Sequence, residues 1–269
     1  MDKLFQLQEH AYHLYKVTNQ LSKLQNDNWS LASDWLNLGS SIESINIITE
    51  SYDESIMFCG PSIEYENAKS KVLEKFTKEL SVFNFFWGAF ETIIKIINPP
   101  KVPNNLKKRR NTIDDCILFL KNDYPIIKFP ATYNELLTDL KKLILKDPQH
   151  QDININKVFN NLYSDNSGQA LLLIRIIRND FAHGTHSLPE PDDWSYADKF
   201  TVTDSIKKIN LSSRLVLITI QMCLISLFKD QKVEVLEWNT GEYTNLIKKL
   251  YTLHLENASK INFGLFYKN

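Results

Sequence analysis

The stretch "LLLIRIIRNDFAHGTH", residues 171–186, decides how this chain is read. It begins as a core helix and then sets Arg178, Asn179 and His183 just ahead of Gly184. On a wheel turning 100° per residue, Ala170, Leu173, Ile174, Ile177 and Phe181 form one apolar face. Leu172, Ile176, Asn179 and His183 fall on nearly the opposite side, with Arg178 toward its edge. A helix with apolar residues on two sides must be covered on both. One cover is the core of a bundle; the other is a further helix of this chain or the same helix of a second copy. Gly184 suits the left-handed residue that ends a helix, which puts His183 in the last turn, where the carboxyl end of the dipole favours a cation.

Moving outward, the flanks are also helical. "LVLITIQMCLISLF" (215–228) is the longest apolar run, but it is shorter than a bilayer span and broken by Thr219, Gln221 and Ser226, so it reads as a buried helix within 204–229. After Gly60-Pro61, a long amphipathic helix is expected from Val72, Phe76, Leu80, Phe83, Trp87, Phe90, Ile94 and Ile97, stopping at Asn98-Pro99-Pro100. Thr112 with Asp114 and Asp115, and Thr132 with Glu135, look like helix starts; Asp147-Pro148 ends the second. A stripe of Leu4, Leu7, Ala11, Leu14, Leu21 and Leu24 predicts a helix over 1–26. A short helix is expected at 155–163 and a last one at 243–256. From Trp29 to Gly60 the pattern is poor, and short alternations in "SIESINIITESYDESIMF" (41–58) fit strands or an irregular lid. "KVEVLEW" reads as a strand. The fold class is therefore mainly α, a helical bundle with a small β element near the N- and C-terminal ends. It divides into an N-terminal extension (1–60), a helical domain (61–230) and a C-terminal extension packing on the bundle (231–269).

A hydrophobic share of 43% is ample for a large core, while only 7 Gly argues against the turns of an all-β fold. The formal net charge of -1 leaves any nucleic-acid contact to local patches, not to a global field. Cys59, Cys116 and Cys223 are widely spaced and contain no CxxC, so neither structural zinc nor a disulfide framework is expected. The start "MDKLFQLQEH" lacks the apolar core of a signal peptide, so a cytoplasmic protein without membrane association is expected.

The segment "RNDFAHG" (178–184), on a helix followed by another long helix, resembles the HEPN superfamily, whose signature is Arg, four to six residues, then His, often as Arg-Asn-x-x-x-His. The resemblance covers about 63–230. It implies a metal-independent endoribonuclease that needs no cofactor, works as a homodimer with a composite site, and serves as a toxin or phage-defence effector alongside an antitoxin or defence partner. The residue types suit that chemistry. RNA supplies its own 2′-OH nucleophile, so the protein needs proton transfer and charge stabilisation. His183 would be the general base or acid, Arg178 would hold the scissile phosphate, and Asn179 would orient either one.

Family members often add an acidic or polar residue from an earlier helix. "FNFFWGAFETII" resembles that helix and makes Glu91 the candidate, with Arg178 or Arg175 as its cation; pairing with Lys95 is the plainer alternative. Some family patterns place an aromatic two residues after the His; here Thr185 stands there, followed by His186. His186 either assists or simply begins a loop. Arg175, His186 and the cluster Lys107, Lys108, Arg109 and Arg110 are candidates for RNA contact, although such charge runs also occur as solvated connectors. Two other readings stand beside the nuclease: a catalytically inactive HEPN module binding RNA, a nucleotide or a protein, and a helical structural protein carrying the motif by chance.

Overall fold

The computed structural model describes residues 3–25, 27–51, 60–103, 111–124, 130–147, 165–184, 187–191, 203–237 and 240–256. The helices among them are α1 (Leu7–Leu24), α2 (Asn28–Ser41), α3 (Gly60–Ile97), α4 (Thr112–Asp123), α5 (Tyr133–Lys146), α6 (Asn166–Ala182), α7 (Asp204–Phe228) and α8 (Leu246–Thr252). Strands β1 (Glu234–Leu236) and β2 (Tyr243–Asn245) form an antiparallel hairpin in which Val235 faces Thr244. The protein is mainly α, as its composition indicates.

The apolar run at 215–228 builds the centre. Helix α7 packs against α1, α3, α4, α5, α6 and α8, and every residue from Leu215 to Ser226 is buried. The breaks in its hydrophobicity cause no orphaned groups: Ser212, Ser213, Thr219 and Ser226 each donate their hydroxyl to the carbonyl four residues back. Helices α3 and α7 are both long and apolar enough to cross a membrane, but 83% of the most apolar window of α7 is buried inside the fold. That burial is what a core helix requires.

Helices α1, α2 and α3 pack in succession, and α3 then packs on α7. Segment 29–41, where the sequence pattern is poor, is helical, and the described part of the alternating stretch that follows, 42–51, forms neither helix nor strand. Its Trp29, Ala32, Ser33 and Leu36 are buried at helical spacing, Trp29 lies against Phe228, and Trp35 stacks on Phe85. The N-terminal β element is not found among the described residues; Leu4 makes only an isolated bridge with Leu255. The core is continuous from Leu7 to Leu253 and crosses the boundaries expected at 60 and 230.

Several local starts also differ from expectation. Proline suits the first turn of a helix, so Gly60-Pro61 opens α3 rather than preceding it. Asn111, not Thr112, caps α4 by accepting from the Ile113 N–H, and Thr132 makes no side-chain cap at α5. Asp165 caps α6 through the Gly168 N–H, so "DNSGQ" belongs to that helix start. The strand read in "KVEVLEW" is β1, and its mate β2 occupies the start of the helix expected from 243. Cys116 and Cys223 meet in the core as free thiols with their sulfurs 3.6 Å apart. The helix expected at 155–163 and Cys59 lie outside the described residues.

Candidate functional site at the end of helix α6

Helix α6 is sealed for most of its length. Ala170 to Ile174 and Ile177 are buried, whichever way they point, because α4, α5 and α7 surround them. Leu172, on the second apolar side, is only 3% exposed and Ile176 is half-buried against the core, so most of the apolar part of that side is covered within the chain. The helix emerges only in its last turn. Phe181 anchors that turn, its ring edge-on to Phe76 of α3 with centroids 5.6 Å apart.

The emergent turn carries the motif. Arg178 is half-buried, while Asn179 and His183 are exposed. No described residue bonds to the side chains of these three. The His183 N–H donates to the Asn179 carbonyl and the Gly184 N–H to that of Phe181. Gly184 has φ +63°, with open space where a Cβ would stand. Only that left-handed residue closes the helix with His183 at the rim. The next described segment, 187–191, folds back on α3: Glu190 accepts from the Tyr65 hydroxyl, and Lys69 lies 4.0 Å from its other oxygen. Glu190 therefore raises the Tyr65 pKa by holding its proton.

Two expected site residues go elsewhere. Arg175 turns inward and pairs with the buried Asp114 of α4 at 3.3 Å, a contact that clamps α6 to α4 and leaves little of the guanidinium for RNA. Glu91 accepts the indole N–H of Trp87 at 2.7 Å. It also sits fifteen residues beyond Phe76, roughly 22 Å along α3 at 1.5 Å per residue. The α3 turns level with the motif therefore carry Lys75, Phe76 and Glu79, not Glu91. Within one chain, the structure groups Arg178, Asn179 and His183 and separates Glu91 from them. His186, Lys107, Lys108, Arg109 and Arg110 lie outside the described residues. Among the described residues, no three His, Cys, Asp or Glu side chains gather to hold a metal ion.

On the wheel, Arg178 and His183 are five residues and about 140° apart. One copy of the helix end thus points a cation and an imidazole in diverging directions. No known protein family, curated protein or solved structure matches this chain.

Proposed function

We propose that the chain is a metal-independent endoribonuclease of HEPN type, acting as a homodimer in a toxin or phage-defence role. The supporting observation is the polar turn itself: Arg178, Asn179 and His183 stand unengaged by described residues at the open end of a helix otherwise buried in the core. A helix so enclosed holds its last turn rigidly, which favours a site whose groups must be prepositioned.

In this reading the RNA 2′-OH oxygen attacks the adjacent phosphorus, forming one P–O bond as the bond to the 5′-oxygen breaks. His183 of one copy takes the 2′-OH proton, and His183 of a second copy donates a proton to the departing 5′-oxygen. Arg178 opposes the charge growing on the non-bridging oxygens as a bidentate donor. The products are a 2′,3′-cyclic phosphate and a 5′-OH. The 140° divergence of the two side chains on one helix is why two copies are invoked.

The test is cleavage of end-labelled RNA in the presence of chelator by wild type, His183→Ala and Arg178→Ala. Each variant is expected to lose activity by about a hundredfold or more with unchanged circular dichroism. A chelated wild type that cleaves nothing until a divalent metal is restored would rule the mechanism out. That same divergence also favours a second reading, an inactive module that binds RNA or a protein through this turn. Growth arrest on expression of wild type but not of His183→Ala separates the two.

A further inference from the structure

Helices α3, α5 and α7 enclose an open cleft of about 520 Å³, within the size range of small-ligand sites. It is lined by Lys75, Lys142, Lys146 and Lys207, with Glu79 and Asn210 among its walls. Four lysines against the carboxylates of Glu79 and Asp139 make this a cationic spot on a chain whose net charge is -1. Lys142 and Lys146 are one turn apart on α5, a like-charge spacing that costs a few tenths of a kcal/mol unless an anion lies between them.

Lys142, Lys146 and Lys207 are available. The pairings of Lys142 with Asp139 and of Lys207 with Asp204 are exposed contacts of neighbours on one helix, worth little and easily exchanged for a phosphate. Lys207 also lies in the first turn of α7, where backbone N–H groups and the dipole add to the attraction. The wall is different in kind. Glu79 is 8% exposed and accepts from the Asn210 amide at 3.2 Å, while Leu143, Ile206 and Leu211 add apolar surface. A buried ion pair between Lys208 and Asp147 ties the end of α5 to α7 and keeps the mouth in shape.

We infer that this cleft binds a nucleotide unit, with its phosphate on Lys142, Lys146 and Lys207 and its base or ribose donors on Glu79 and Asn210. An anion alone would leave Glu79 as a repulsive neighbour; a ligand that is anionic at one end and a hydrogen-bond donor at the other satisfies both walls. The cleft and the motif share α3, since Lys75 and Glu79 flank the Phe76 that touches Phe181. For an RNA strand, and resting there on the nuclease reading, the cleft is a subsite for a nucleotide away from the scissile phosphate. A free nucleotide is the other source of the same chemistry.

The test uses the full chain carrying His183→Ala, so that the probe survives, with and without Lys142→Ala, Lys146→Ala and Lys207→Ala together. Binding of a fluorescein-labelled single-stranded RNA is followed by anisotropy against salt, with AMP, GMP, CMP and UMP as competitors. The triple change is expected to weaken binding and flatten the log–log salt slope by about 2. Asn210→Leu should weaken binding without changing that slope. Competition by a mononucleotide identifies the free ligand as sufficient; its absence assigns the site to the strand. Equal affinity and slope with and without the lysines overturns the cleft. Wild-type cleavage, measured separately, tests the nuclease: a nuclease with an indifferent cleft loses only this proposal, and a silent chain with a lysine-dependent site loses only the other.

Discussion

Gln221, in the middle of α7, joins three parts of the chain, and its replacement by leucine has a calculable effect. Its Oε1 accepts from His10 Nε2 of α1 at 2.7 Å. Its Nε2 donates to the Leu250 carbonyl of α8 and to His254 Nδ1 at 3.2 Å. His254 Nε2 donates in turn to the Ala131 carbonyl at 3.1 Å. Because carbonyls only accept, both histidines carry a proton on Nε2, and His254 Nδ1 accepts from the Gln221 amide. Gln221→Leu strands the His10 N–H, the Leu250 carbonyl and His254 Nδ1. At about 1–3 kcal/mol for each buried unsatisfied group, less about 1 kcal/mol for the added apolar burial, the loss is at least about 2 kcal/mol. That is a large part of ordinary stability. Urea unfolding followed by circular dichroism measures it, and a loss below about 1 kcal/mol refutes the network. Removing His10 as well, as His10→Leu with Gln221→Leu, should cost less than the sum of the two single changes.

The same network sets a pH dependence. Burial, then the neighbouring His254 and Arg214, push the His10 pKa well below its usual value. The unfolded chain binds a proton near pH 6.5 that the folded chain refuses, so stability is full above that pH and falls as pH drops below it. His10 alone contributes about 1.4 kcal/mol per pH unit until it protonates in the fold. Stability should therefore fall as the pH drops from 7.5 to 5.5, and the fall should shrink in His10→Leu. An unchanged slope would show that His10 is not the group responsible.

Further outcomes concern the motif helix and the α2–α3 contact. Arg175→Met should cost about 2–3 kcal/mol in urea unfolding, because it strips the guanidinium from buried Asp114, whereas Arg178→Ala should leave stability unchanged and remove cleavage. Gly39→Ala puts a Cβ 2.5 Å from a Phe86 ring carbon in a fully packed contact, so melting should fall by the equivalent of about 1–3 kcal/mol. Gly88→Ala meets Trp35 at an ordinary 3.4 Å and should raise stability by up to about 1 kcal/mol through helix propensity. Gly184→Ala has space but the wrong backbone at φ +63°, and should cost about 1–2 kcal/mol while disturbing the His183 turn.

Much of the architecture is legible in the sequence because helices are specified over one or two turns. The apolar period from Val72 to Ile97 and its stop at Asn98-Pro99-Pro100 are local facts, as is the end of α6 at Gly184. So is the apolar run of α7, whose composition demands burial whatever surrounds it. Helix α2 was legible too, in the spacing of Trp29, Ala32, Ser33 and Leu36, but its weak amphipathicity and the β-like alternation after Ser41 masked the signal. The placement of Arg178, Asn179 and His183 on an exposed last turn follows from the same local pattern.

What only the tertiary structure decides is who meets whom. Arg175 and Arg178 differ little in the sequence, yet one is spent on Asp114 of α4 and the other is not, because the crossing of α4 and α6 selects one level of each helix. Glu91 looked like a site acid, but the phase and height of α3 against α6 bring Phe76 to the motif instead. The cleft of Lys75, Lys142, Lys146 and Lys207 and the His10–Gln221 bond, 211 residues apart in sequence, are likewise invisible until the helices dock. Period and capping are written by neighbours within a turn. Partnership depends on interhelical packing, which distant residues settle together.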